Sequence, residues 1–264
     1  MEGCSTTTIA RAKKLDEATV EKIHSLYNLY SAKELAKMFH CNINQVYHVK
    51  SEYSDIGYSL NTKINITPFQ EQILLGGILG DGRLKKNGKN NVLYSECHAL
   101  GEKEYLEWKF NNLGDLVSKT KIYGKNTNNK WSDAMEFTTK TTPSLIKFYL
   151  LSKDIDKVIP KMGELALIID LLDDGWFLKN SNPKRFGSYC ITAKQYTHKQ
   201  RISLIRQWKT VCGIDFHEIG IKNTDLHSNV SESPKLARII LKYFPRDMDI
   251  ISKKFGGTID LLNV

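Results

Sequence analysis

Two aspartates are the residues most able to do chemistry in this chain. Asp81 closes the apolar run LLGGILGDG at 74 to 82, and Asp174 closes LIIDLLDDG at 167 to 175. Their separation, 174 − 81 = 93, puts them at equivalent places in two tandem segments, so an internal repeat is the first thing to settle. A pair of carboxylates can hold hard divalent cations through oxygen, or divide acid and base work between them. Either run alone reads as a core helix ending at a glycine, because Asp-Gly is a favoured turn dipeptide. The segments downstream of the two runs agree with each other, and that agreement raises the pair above the plain-turn reading.

After the first run come strand-like residues 91 to 95, then GEKEYLEWKFNNLGDLV, with Tyr105, Leu106, Phe110 and Leu113 at helical spacing. After the second come SYCIT at 188 to 192 and a helical stretch with Ile202, Ile205 and Trp208 recurring in the same way. A hairpin pattern comes next in each, TKIYGKNTNNKWSDAMEFTT and DFHEIGIKNTDLHSNV, and a helical segment closes each unit at 143 to 153 and 233 to 244. Both units read α-β-β-α-β-β-α.

This order, with its two Asp-Gly helices, resembles the single-chain LAGLIDADG homing endonucleases over residues 66 to 264. Leu74, Gly76, Ile78, Asp81 and Gly82 match the family's nine-residue signature. Asp173, Asp174 and Gly175, preceded by Leu165 and Ala166, match a variant form. KVIP at 157 to 160 and a C-terminal cluster of Pro245, Met248, Lys253 and Lys254 are similar to that family's surroundings. The resemblance implies an α+β fold of two tandem αββαββα repeats, 69 to 160 and 161 to 264, in a monomer with an internal pseudo-dimer. It implies Mg²⁺-dependent hydrolysis of both strands of a long DNA site, leaving short 3′ overhangs. Asp81 and Asp174 would share two or three ions, with Mn²⁺ able to substitute, and the carbonyls of Gly80 and Asp173 would add oxygens. A lysine beside each metal would be Lys157 in the first unit and Lys253 in the second, with Lys254 as Lys253's neighbour. His98 and Lys194, with Gln195 adjacent, fall at comparable places and read as surface or DNA-facing residues.

Such a fold packs the two motif helices against each other, which needs small residues at the contact. Gly76, Gly77 and Gly80 supply them on the first helix, but Ile169, Asp170 and Asp173 at the matched positions are not small. Two readings stay open: the bulky side chains fit over the glycine face of the first helix, or Asp170, inside an apolar run, is exposed or paired.

The charge is consistent with a polyanionic partner: net +9 and pI near 9.1 favour DNA through counterion release. Residues 1 to 60 hold seven Lys+Arg and seven Asp+Glu, so the whole excess lies in 61 to 264. Polar hairpins there suit β-ribbons reading a major groove: Lys121, Tyr123, Lys125, Asn128 and Lys130; Lys179, Lys184 and Arg185; Lys222, Asn223 and His227. Lys194 and Gln195 join them as DNA contacts. Residues 1 to 55 resemble a small all-α helix-turn-helix, whose second helix starts near Asn42 and presents Asn44, Gln45 and His48. Its neutral charge suggests an accessory DNA-binding role, and residues 56 to 68 read as a linker.

No run reaches the length of a membrane span and no signal peptide is evident, so a cytoplasmic protein without membrane contact is expected. Five cysteines without a CxxC pair indicate neither a disulfide framework nor a zinc site. The ends lack the nucleophile and terminal Asn of an intein, which points to a free-standing or intron-encoded protein. The alternative to a nuclease is a regulator or intron RNA maturase that keeps the fold without cleavage. A metabolic acid-base enzyme is poorly supported, because no phosphate loop or nucleotide fingerprint is present.

Overall fold

A computed structural model describes residues 15–26, 30–49, 64–87, 91–123, 133–182, 185–220 and 224–259. These belong to two compact units that divide after Thr62.

The first unit holds α1 (Glu17–Leu26), α2 (Ala32–Met38) and α3 (43–49) around a small core of Ile23, Leu35, Val46 and Val49. Ser31 and Glu34 cap α2 reciprocally. His40 takes φ +49° in the turn, a conformation that histidine tolerates better than most residues. Asn42 then opens α3, where the Asn44 N–H donates to its side chain at 2.9 Å. The described residues of this unit are all-helical, with α2 and α3 joined by a short turn. Asn44 and His48 are exposed on α3 beside Ile43 and Tyr47, whereas Gln45 is half-buried and its side chain accepts from the Asn42 N–H.

The second unit carries the repeat. Helix α4 (Pro68–Leu79) starts at a Thr67–Gln70 capping box with Pro68 in its first turn, and ends at Gly80, just before Asp81. Two strands, β1 (Arg83–Asn87) and β2 (Asn91–Ala99), lead to α5 (Lys103–Leu113), then β3 (Val117–Tyr123) and β4 (Ala134–Thr139). Short helices α6 (Ile146–Leu151) and α7 (Ile155–Val158) close the unit. The order then recurs: α8 (Glu164–Asp174), β5 (Gly175–Leu178), β6 (Ser188–Thr192), α9 (His198–Cys212), β7 (Phe216–Ile219), β8 (Asp225–Ser228), α10 (Ser233–Tyr243) and α11 (Asp249–Ile259). Each half builds a four-stranded antiparallel sheet of the same topology, β1-β2-β4-β3 and β5-β6-β8-β7. One continuous apolar core joins both halves, so the repeats are not separate domains.

The join is α4 against α8. A Cβ added to Gly76 would lie 2.6 Å from the Ala166 carbonyl and 2.7 Å from Ile169 Cβ, and one added to Gly80 would run into the Asp173 side chain. The bulky residues of α8 therefore fill the space that the glycines of α4 leave, and the departure from a small-on-small contact is resolved by complementarity. Gly77 and Gly82 do a different job, leaving room for the Tyr94 ring from β2. Asp170 follows neither of the two courses open to it, exposure or pairing: its side chain is fully buried, and among the described residues neither oxygen has a hydrogen-bond partner.

Replacing Gly76 with alanine tests this packing. Alanine favours an exposed helix over glycine by about 1 kcal/mol, but overpacking typically costs about 1–3 kcal/mol, and here the obstacle includes a backbone carbonyl. Gly76→Ala should therefore lower stability in denaturant titration, and a gain would show that the helices can separate freely.

Candidate active site

The carboxylates sit where the two helices end. Asp81 comes directly after Gly80, with a side chain 44% exposed, and Asp174 is the last residue of α8 and half-buried. Both helices thus direct their C-terminal ends, the negative poles of their dipoles, to one place, which favours a cation there. The pKa of Asp174 is pushed up to about 6, first by burial and then by the charges of Asp81 and Asp173. That of Asp81 rises through burial and the neighbouring Asp173. Negative charge is concentrated here beyond what the neighbouring cations balance.

Beneath Asp81 lies a buried network. The Lys109 ammonium from α5 donates to the Asp173 carboxylate at 2.7 and 3.0 Å and also to Glu96 on β2, all three side chains being inaccessible. Tyr105 donates to Asp173 at 2.7 Å, and Tyr94 donates to Glu96 at 2.5 Å. His98 lies between Glu96 at 2.8 Å and Glu102 at 3.0 Å, with Asp81 3.7 Å away. Burial opposes charge on Glu96, yet Lys109 and His98 hold it at about 2. Burial opposes charge on His98 as well, and its two carboxylate neighbours overcome this and raise it to about 9. Bonding to His98 holds Glu102 at about 2.

Several candidates fall elsewhere than expected. His98 is 5% exposed and so is no surface residue. Lys157 is 71% exposed and pairs with Asp154 at 2.8 Å, and Lys253 points to Glu102 at 3.5 Å. Lys254 turns inward instead, donating to the carbonyls of Leu172 and, at 3.1 Å, Asp173, and its charge opposes the rise of the Asp174 pKa. The Asp173 side chain thus serves the buried network, while its carbonyl accepts from Lys254. Gln195 does approach the site, donating to Asp174 at 3.5 Å. Lys121, Lys179, Arg185 and Lys194 are exposed, and His227 is half-buried on β8. Lys125, Asn128, Lys130, Lys184, Lys222 and Asn223 lie outside the described residues, as does the side chain of Tyr123.

The donor set fits a hard divalent cation. Oxygens of Asp81 and Asp173 and a ring nitrogen of His98 lie within 4.8 Å of one another, although His98 and Asp173 are already engaged in the network. The accessible pair with raised pKa values, Asp81 and Asp174, is the better match to oxygen coordination.

The model of the LAGLIDADG DNA endonuclease family matches residues 71–224. This chain belongs to that family. Among solved structures, the homing endonuclease I-WcaI bound to its DNA recognition sequence superposes with a TM-score of 0.62 at 18% identity, over 78% of this chain and 91% of that one. That likeness shows the LAGLIDADG fold. Among curated proteins, Protein RecA of Mycolicibacterium flavescens is 29% identical over 119 residues, covering 42% of this chain and 27% of that protein. Protein RecA of Mycobacterium shimoidei is 25% identical over 162 residues, covering 55% and 36%. The chain matches about a third of the length of these curated relatives. Among the described residues no helix is long and apolar enough to cross a membrane.

Asp170 yields a pH prediction. Burial, then Asp174 and Asp173, raise its pKa well above the usual carboxylate value. A raised folded pKa means that its favourable contribution is complete below the unfolded value near 4 and is lost as pH rises. Asp170→Asn cannot ionise, so its stability relative to the parent should grow with pH above about 4, by up to ~1.4 kcal/mol per unit. Denaturant titrations from pH 4 to 8 would show this, and a difference independent of pH would contradict it.

Proposed function

We propose that this chain is a site-specific homing endonuclease that hydrolyses one phosphodiester in each strand of a long double-stranded DNA target with a divalent cation, Mg²⁺ in the first instance. The observation that carries the reading is the meeting of Asp81 and Asp174 at the ends of two packed helices, with Asp174 raised to about 6.

Bound there, divalent cations would supply a water of lowered pKa and would stabilise the leaving oxygen. Asp81 and Asp174 would hold them, with carbonyl oxygens of Gly80 and Asp173 as further donors. The remaining residues set up that pair. Lys254 fastens the last turn of α8 through the Leu172 and Asp173 carbonyls, which fixes where Asp174 points. Lys109 and Tyr105 lock Asp173, whose Oδ2 accepts from the Asp81 N–H at 3.3 Å, so the network also fixes the backbone that presents Asp81. Gln195, which donates to Asp174 at 3.5 Å, would orient that carboxylate. Of the terminal lysines, Lys254 is better placed than Lys253 to offset charge on the phosphate.

Binding would use the two sheets on the duplex, with the net charge of +9 supplying affinity that falls as salt rises. Exposed Asn44 and His48 on α3 give the N-terminal unit an accessory DNA contact. Substituting both with alanine should shorten the footprint without moving the cut.

Cleavage of a randomised duplex library in Mg²⁺ is the direct test. The intact protein should give breaks at one sequence, and Asp81→Asn or Asp174→Asn should lower the rate by at least about 10²-fold, on the order of the loss of one transition-state stabiliser. Binding to one sequence without breaks, in Mg²⁺ or Mn²⁺, would favour the regulator or maturase reading instead.

A further inference from the structure

The two sheets share a topology, so their outer faces can be compared position by position. In the first half, Arg83 pairs with Ser95 and Ser95 with Thr138, while Cys97 and Lys121 both pair with Glu136. In the second half, Trp176 pairs with Cys190 and Cys190 with His227, while Thr192 and Ile219 both pair with Asp225. Aligning the Asp-Gly motifs sets Arg83 opposite Trp176 and Lys85 opposite Leu178. The cross-strand register then sets Lys121 opposite Ile219. At all three places a cation in the first sheet is an apolar residue in the second.

The apolar face is presented to solvent. Leu178 is 52% and Ile219 45% exposed, although neither needs to be outside for the core to form. Trp176 is half-buried and packs edge-on against His227 at 6.4 Å, and His217 lies 6.4 Å beyond. Burial lowers the pKa of His227 against the opposing charge of Asp225, with His217 adding to the fall. Among the described residues, the exposed Lys179 and Arg185 follow the end of β5 and the exposed Lys194 follows β6, none of them within a strand of the face.

These chemistries suit different base edges. Arg and Lys match the O6 and N7 acceptors of guanine in the major groove, whereas an apolar side chain there can distinguish only the C5 methyl of thymine. Trp176, Leu178 and Ile219 themselves release no counterions, so against a duplex they act through apolar contact. We propose that the two half-sites are read by different chemistry, guanine edges by Arg83, Lys85 and Lys121, and thymine methyls by Trp176, Leu178 and Ile219. This rests on the reading that the two sheets bind duplex DNA.

The test starts with a duplex selected from a randomised library by the intact chain in Ca²⁺. Repeating the selection with Arg83→Ala, and with Leu178→Asn plus Ile219→Asn, assigns each half to its sheet; the latter two positions are exposed, so the variant folds. The selected duplex is then remade with deoxyuridine for thymidine in one half at a time. Uracil in the half assigned to the second sheet should weaken binding about fourfold for each methyl contacted, equivalent to ~0.8 kcal/mol. Uracil in the other half should change the Kd less than twofold, and the Leu178→Asn plus Ile219→Asn variant should lose the uracil effect. Equal sensitivity in both halves, or none in the second, overturns the proposal while leaving DNA recognition intact. Selection that enriches no sequence overturns the DNA reading as well.

Discussion

The close approach of α4 and α8 is the constraint on which the rest depends. Only where Gly76 and Gly80 remove side chains can Ile169 and Asp173 seat against the first helix. That seating brings the ends of both helices to one place, and with them Asp81 and Asp174. It also delivers Asp173 from the second repeat into a pocket lined by the first, where Lys109, Tyr105 and Glu96 enclose it. The carboxylates meet because the helices pack, and the packing costs two negative charges at short range. Asp174, raised to about 6, bears that cost in the protein alone.

The two halves solve the same problem in different ways. In the first, β2 turns Glu96 and His98 inward, and α5 answers with Lys109. In the second, the corresponding inward positions are Ile191 on β6 and Ala193 just after it, and α9 buries Leu204 and Trp208 with no charged residue among them. A buried ion network is weak evidence for stability, since well-packed apolar residues often do as well. Here the apolar version stands in the same molecule, so the polar version is better explained by position. It fixes Asp173 and, through it, the backbone at Asp81, whereas Gln195 from the loop after β6 attends Asp174. Exposed faces differ too, Arg83, Lys85 and Lys121 against Trp176, Leu178 and Ile219. A single chain is free to diverge in this way, because its two halves are encoded separately and no symmetry forces them to match.

Much of this is legible in the sequence. The repeat, its element order, the two aspartates and the glycine face come from spacing and residue type, since periodicity and turn chemistry are local. The buried network is not legible in the same way, although its signals are present. Lys109 falls three residues after Leu106 and four before Leu113, on the apolar face of α5, and Glu96 and His98 continue the buried period-two row of Val92 and Tyr94 on β2. Charged residues on buried faces are rare, so each reads as a surface group until the fold brings opposite charges together. Choosing between Lys253 and Lys254 requires the rotation of α11, which a sequence gives only to within a residue or so. The apolar face of the second sheet is hidden because its members lie on two strands far apart in sequence, Trp176 and Leu178 on β5 and Ile219 on β7.

The central claim is that Asp81 and Asp174 form one shared cation centre rather than two surface carboxylates. Calorimetric titration of Ca²⁺ into the protein with its selected duplex, at pH 7.5, tests it most directly. A shared centre predicts that Asp81→Asn and Asp174→Asn each weaken or abolish all of the bound Ca²⁺, and that the double variant adds little further loss. Independent losses that sum across the two variants, or full Ca²⁺ binding in both, would contradict it.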